Sequence, residues 1–192
     1  MLKVAFGCGG PSLLLGIPTV FASRHGDTTT TIELLECLAS KKPVSANQFS
    51  HSVHNTQAGL FTIATGNRRP ASALAAGRDT LGCSFLEGLG VLQRLGGGSV
   101  LLVIADEPLP PVLSPFVDEP QAAYAVAFLL EPHDGPGAIT LSLGDDPDSG
   151  DLPVAAPWPQ PVEFLRWIVS GEPTITLASP ACRWTWRRAD RR

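Results

Sequence analysis

The chain has 192 residues, of which 44% are hydrophobic and 17% charged, and its formal net charge is −4. This composition is typical of one globular domain with its own core and excludes a disordered chain. The negative charge gives no overall attraction to nucleic acid or to an anionic membrane. Glycines and Pro11 interrupt the apolar start, so no stretch reaches the roughly 18 residues of a membrane helix. With four widely spaced cysteines, we expect a reduced, cytoplasmic protein without a membrane span.

Strand and helix patterns alternate from residue 19 onwards. The β-branched, apolar residues 19–23 predict a buried strand, and a capped helix follows over residues 28–38. Further helices are predicted at 55–64, 79–95 and 161–170, and further strands at 70–76, 99–105, 122–130, 138–143 and 174–179. The strand at 138–143 is expected to pair with the preceding strand as a hairpin. This order indicates a layered α/β domain with a mixed sheet.

The end of the chain combines tryptophans with arginines. Trp184 and Trp186 alternate along an extended segment, which predicts one face of an edge strand. The closing arginines indicate a solvated basic terminus rather than a docking surface. They are Arg187, Arg188, Arg191 and Arg192. Acidic, proline-rich loops are predicted at 106–120 and 145–161.

Several separated segments carry a resemblance to a known family. They are FASRHGD (21–27), FSHSVHNTQAG (49–59), IATGN (63–67), ALAAGRDT (73–80), the loop at 106–132 and the closing RWTWRR (183–188). Together they resemble the ketosynthase-like N-terminal domain family of aryl polyene and related bacterial pigment clusters. The resemblance implies a thiolase-like half-fold over residues 18–188, with a layered mixed sheet and helices, shortened at its N-terminus. Residues 1–17 are then an uncertain opening segment, and residues 189–192 a basic tail.

The family's catalytic residues have no clear counterpart. A ketosynthase presents a nucleophilic cysteine at a strand-to-helix turn, where the helix N-terminus lowers the pKa of the thiol. By the resemblance, this turn holds Gly77 and Arg78 here, and neither is a nucleophile. The family also takes two histidines from a C-terminal half that we do not see. The resemblance therefore implies a non-catalytic subunit that needs neither cofactor nor metal.

The resemblance also implies a partner. In type II polyketide systems a chain-length factor, which has lost the cysteine, pairs with a catalytic ketosynthase and limits the length of the product. By this resemblance the chain forms a heterodimer with a catalytic ketosynthase and meets the acyl carrier protein only indirectly. The interface would be the strand formed by Ala71, Ser72, Ala73, Leu74 and Ala75. The gate would be Gln57, Leu60 and Phe61, projecting from their helix towards the partner's tunnel.

A stand-alone enzyme, either a β-ketoacyl synthase or an acyl hydrolase, is the alternative. Cys83 would be the nucleophile of the synthase, although a thiol inside a helix lacks the free N–H groups that activate it. Ser52 and His54, with Asp79, would be the triad of the hydrolase, although no GxSxG turn is present. A third hypothesis is a relic that cannot fold without a partner.

The histidines near residue 54 admit two further interpretations. His51 and His54 are spaced to share one helical face and, with His25, would form a metal site. No carboxylate or cysteine at ligand spacing accompanies them, so we predict no metal. We favour a structural motif of Ser52, His54 and Asn55, in which Asn55 caps the following helix and His54 binds a neighbouring loop.

Overall fold

The computed structural model describes residues 1–144, 156–180 and 182–189. Its helices are α1 (Leu2–Gly7), α2 (Pro11–Gly16), α3 (Thr28–Ala39), α4 (Ala46–Ser52), α5 (Thr56–Thr65), α6 (Thr80–Leu95) and α7 (Gln160–Ser170). Its strands are β1 (Thr19–Ala22), β2 (Ala71–Leu74), β3 (Val100–Asp106), β4 (Tyr124–Leu130), β5 (Ile139–Gly144), β6 (Thr174–Ala178) and β7 (Arg183–Arg188). Two 3₁₀ turns lie at Gly77–Asp79 and Pro111–Phe116.

The first sheet has four strands in the order β2-β1-β3-β4. Strand β1 pairs in parallel with β2 and β3, and β3 pairs antiparallel with β4. All four residues of β1 are buried because both faces of this sheet are covered. This arrangement confirms the mixed sheet that the alternating pattern predicts.

The two faces of the first sheet build two separate cores. Val20 and Leu102 face the core that contains α6 and α7, whereas Phe21 and Leu101 face the core that contains α1, α2 and α5. Successive residues of a strand point to opposite faces, so each central strand contributes to both cores. Helices α1 and α2 lie within residues 1–17, and Ala5, Leu14 and Ile17 are buried there.

The second sheet has three antiparallel strands in the order β5-β7-β6. Its side chains Leu177, Trp184 and Trp186 join the same core as α6, which therefore lies between the two sheets. The predicted hairpin between the strands at 122–130 and 138–143 is wrong: β4 pairs with β3, while β5 pairs with β7. A local pattern predicts a strand, and the pairing depends on which core each strand covers.

Strand β7 also corrects two expectations about the chain end. It is the central strand of its sheet rather than an edge strand, which explains why Trp184 and Trp186 are almost fully buried. Arg187 and Arg188 belong to this strand rather than to a solvated tail. The guanidinium of Arg188 donates to the carbonyls of Trp167 and Ile168 and lies 4.6 Å from the centre of the Trp167 ring. Residues 190–192 and most of the predicted linker at 145–161 lie outside the described residues.

Candidate functional site

The carboxyl ends of the three parallel strands define the edge at which we place the candidate site. The chain leaves β1 for β2 on one side and later returns to β3 on the other side of β1. In α/β sheets, a crevice forms outside the carboxyl ends of the strands at the point where the strand order reverses in this way. A cleft of about 450 Å³ lies at this position. Its lining includes Ser23, His51, His54, Gln57, Asp106 and Tyr124.

Asp106, the last residue of β3, accepts hydrogen bonds from several residues around the cleft. The residue is 7% exposed, and its carboxylate accepts hydrogen bonds from the Ser23 hydroxyl (2.7 Å) and the Tyr124 hydroxyl (2.8 Å). It also accepts from the backbone N–H groups of Arg24 and His25, each at 3.0 Å. A buried carboxylate with four donors is well compensated, so it fixes the turn after β1 rather than acting as a free base.

Tyr124 is held as a neutral donor. Burial, followed by the charge and the hydrogen bond of Asp106, raises the pKa of the Tyr124 hydroxyl far above its ordinary value. The phenol therefore keeps its proton across the physiological range. We did not single out Asp106 or Tyr124 from the sequence, although each stands at one end of a strand at this edge.

The predicted motif of Ser52, His54 and Asn55 has local partners. His54 Nε2 lies 2.9 Å from the carbonyl oxygen of Leu74 and donates to it, because a carbonyl only accepts. Ser52 donates to the carbonyl of Phe49, within its own helix. Asn55 occupies the N-cap position of α5, but its side chain makes no capping hydrogen bond. His54, between α4 and α5, is therefore hydrogen-bonded to the end of β2.

The turn after β2 holds the two residues that stand where we expect a nucleophile. Gly77 and Arg78 are exposed and begin the 3₁₀ turn that leads into α6. Gly77 has a φ of 56°, a left-handed conformation that favours glycine. Asp79 follows, and its Oδ1 accepts from Trp184 Nε1 at 2.7 Å and from Cys182 Sγ at 3.2 Å. The turn is thus tied to the second sheet through a carboxylate.

The alternatives that require an active nucleophile gain no support from these contacts. Burial, and then the charge of Asp79, raise the pKa of the Cys83 thiol above its ordinary value, which disfavours a thiolate. The hydrolase hypothesis needs Ser52, His54 and Asp79 bonded in series. Within the described residues each of these side chains bonds elsewhere.

Neither a metal cluster nor a membrane helix is present in the part of the chain that the structure describes. No group of three or more histidine, cysteine or acidic side chains is arranged to hold a metal ion there. His51 and His54 both line the cleft, whereas His25 Nε2 lies 3.6 Å from Glu119 Oε1. No helix among the same residues is long and apolar enough to cross a membrane.

Helix α5 carries the three side chains that we expect to form a gate, and they differ in exposure. Gln57 lines the cleft and Leu60 is partly exposed. Phe61 is fully buried and its ring packs against Phe6 and Phe21, with centroids 5.9 and 5.6 Å away. The expectation that Phe61 projects out of its own chain is therefore wrong. A bulky aromatic ring on this helix is accommodated in the core between the sheet and α1.

Strand β2 forms an open edge of the first sheet. It pairs with β1 on one side, and the described residues provide no strand on the other side. Ala71, Ala73 and Ala75 are exposed, while Ser72 and Leu74 are partly buried. Small side chains on an unpaired edge allow another backbone to approach closely. Whether residues 71–75 form an interface stays a prediction.

The fold defines the class of the protein as a ketosynthase-like α/β protein with thiolase-like architecture. The family described as "Beta-ketoacyl synthase, N-terminal domain" matches residues 1–187, and the chain belongs to this family. No curated protein matches the sequence significantly.

Two solved structures have a similar fold. A chain of the ketosynthase ApeO in complex with its chain length factor ApeC, from Xenorhabdus doucetiae, superposes with a TM-score of 0.79 at 25% identity. The match covers 98% of this chain and 81% of that chain. A chain of the ishigamide ketosynthase/chain length factor superposes with a TM-score of 0.55 at 17% identity, over 71% of this chain and 42% of that one. The second likeness shows the fold alone.

Proposed function

We propose that the chain is a non-catalytic, chain-length-factor-like subunit that pairs with a catalytic β-ketoacyl synthase in the elongation of a polyketide or aryl polyene chain. The observation that carries this proposal is the combination of an open β2 edge with a following turn that holds Gly77 and Arg78. A catalytic subunit needs a thiolate at such a turn, whereas a partner subunit needs only the edge. The similarity to a chain from a ketosynthase–chain length factor complex supports the same assignment.

The partner would lie along the outer side of β2. Its own strand would continue the sheet, and the exposed methyl groups of Ala71, Ala73 and Ala75 would be covered. Edge strands left open in solution invite uncontrolled pairing, so a permanent partner would also protect this chain from aggregation. The acyl carrier protein would dock mainly on the catalytic subunit, and the complex would act in the cytoplasm.

The gate would lie at the partly exposed end of α5. Gln57 lines the cleft and Leu60 retains partial exposure, so these two side chains can meet a substrate chain held by the partner. Phe61 would contribute indirectly, by packing α5 onto the sheet. The stand-alone synthase is the weaker candidate because the surroundings of Cys83 favour its neutral thiol.

An arginine placed on the β2 edge tests the interface. Ala73→Arg adds a long charged side chain at an exposed position, which should leave the fold intact but block strand pairing. We expect at least a roughly 100-fold loss of affinity for the catalytic subunit, measured by co-purification and titration. Ala39→Arg, at the exposed end of α3, is the control and should bind as the wild type does. Equal binding by both variants would remove β2 from the interface.

A further inference from the structure

The connection between β3 and β4 is longer than its geometry requires. These strands are antiparallel neighbours, yet residues 107–123 separate them. Antiparallel neighbours need only about two to five residues to connect, and longer loops are usually functional. The base of this loop is closed, because Tyr124 at the start of β4 donates to Asp106 at the end of β3.

The loop has little apolar packing to hold it. None of the residues 107–123 is buried. Val112 and Phe116, on its 3₁₀ turn, are 66% and 72% exposed. Its internal order comes from hydrogen bonds, such as that from the Leu109 N–H to Gln121 Oε1 at 2.7 Å. A segment with few buried contacts lies at the low end of local stability.

Ion pairs to the turn after β1 provide the tertiary anchor: Arg24 makes the two shorter ones, and His25 Nε2 lies 3.6 Å from Glu119 Oε1. Arg24, whose side chain is only 10% exposed, lies 2.5 Å from Asp118 and 2.9 Å from Glu119. Arg24 is itself fixed, since its N–H and that of His25 are bonded to Asp106. Arg24, whose backbone is held at the edge of the sheet, therefore pairs through its guanidinium with two carboxylates on a loosely packed loop.

The base of this loop borders the cleft. Its first and last residues, Glu107 and Ala123, line the cleft together with Ser23 and Gly26 of the turn that carries Arg24. We propose that residues 107–123 form a strap beside the cleft, which the ion pairs of Arg24 with Asp118 and Glu119 hold closed and which opens as a unit when they break. This inference holds whether or not the chain pairs with a ketosynthase.

Hydrogen exchange on the full chain at low salt tests the strap. Arg24→Gln should accelerate exchange of the amides of Leu109, Leu113 and Val117 by about ten-fold and leave β3 amides within about two-fold of the wild type. Asp118→Asn combined with Glu119→Gln removes the pairs from the other side and should give the same local increase. Arg94→Gln removes an exposed arginine at the end of α6 and should change neither region.

Salt provides a second readout. Raising sodium chloride from about 0.05 to 1 M screens the pairs and should accelerate strap exchange in the wild type, but not in Arg24→Gln. Unchanged strap exchange in both the arginine and the double carboxamide variants would overturn the proposal. An increase shared equally by β3 in both variants would also overturn it, because the pairs would then stabilise the whole fold rather than the strap.

Discussion

At the scale of single residues, the reactivity of Cys83 distinguishes a packed thiol from a catalytic nucleophile. Burial and the nearby Asp79 charge raise its pKa, so the reactive thiolate is scarce at any pH below that raised value. We expect Cys83 to react with iodoacetamide at pH 8 at least about ten-fold more slowly in the folded chain than in the urea-unfolded chain. Peptide mass spectrometry measures both rates. Asp79→Asn should accelerate the folded reaction, because it removes the neighbouring charge.

A Cys83 that reacts as fast folded as unfolded would contradict this expectation. It would also reopen the stand-alone synthase, since an activated thiol on α6 is what that enzyme needs.

The contact between Gly82 and Trp184 provides a stability test. A Cβ at Gly82 would lie 2.1 Å from the Trp184 ring, whereas a Cβ at Gly90 of the same helix meets nothing within 4 Å. Gly82→Ala should therefore destabilise the fold by about 1–3 kcal/mol or more through overpacking. Gly90→Ala should stabilise it by up to about 1 kcal/mol through helix propensity. Urea unfolding of both variants measures the difference, and equal stabilities would mean that the second sheet does not pack on α6 as described.

The residue scale also shows what a sequence can reveal about the site. Gly77 and Arg78 could be placed at the turn because the segment ALAAGRDT carries both a resemblance and a strand-to-helix change. Asp106 could not, because its four donors come from residues 18 to 83 positions away. The prediction for Phe61 fails for a related reason. Its burial depends on Phe6, and α1 has too short an apolar run to be predicted.

At the scale of elements, α5 presents one helix with side chains in three environments. Gln57 lines the cleft, Phe61 is in the core and Ile63 is 80% exposed. Gln57→Trp should fill part of the cleft and shorten the product made by the reconstituted pair, and Leu60→Ala should lengthen it. Ile63→Ala, on the outer face of the same helix, should leave product length unchanged. Mass analysis of the acyl products checks all three.

Identical product lengths for the Gln57 and Leu60 variants would remove α5 from the gate. Phe61→Ala is a poor test, because removing a fully buried phenylalanine costs about 3–5 kcal/mol and can unfold the chain.

The helices and strands also differ in how well their sequence patterns predict them. The apolar run of β3 and the periodicity of α6 are strong enough to predict both from local sequence. Strand β5 was also predicted as a strand, but its partner is β7, 47 residues further along at the Thr140–Arg187 pair. Local alternation carries no information about such a distant pairing. The pairing accompanies the burial of Trp184 and Trp186 on the central strand β7.

At the scale of the whole molecule, α6 and α7 share one core with both sheets, and α1, α2 and α5 cover the other face of the first sheet. The second sheet covers the face of α6 that Trp184 and Trp186 touch, so this face is not left exposed. The first sheet remains open along β2. Within the described residues β4, β5 and β6 are also outer strands with one partner each, and we assign the partner to β2 because its side chains are small and the turn with Gly77 and Arg78 follows it.

Co-expression with a catalytic β-ketoacyl synthase, followed by native mass spectrometry of the tagged chain, shows whether the two proteins pair. We predict one copy of this 20.2 kDa chain bound to one copy of the synthase. Mixing with Ala73→Arg in place of the wild type should reduce the complex to its separate subunits. A chain that stays monomeric, or pairs only with itself, in the presence of every synthase tested would contradict the account.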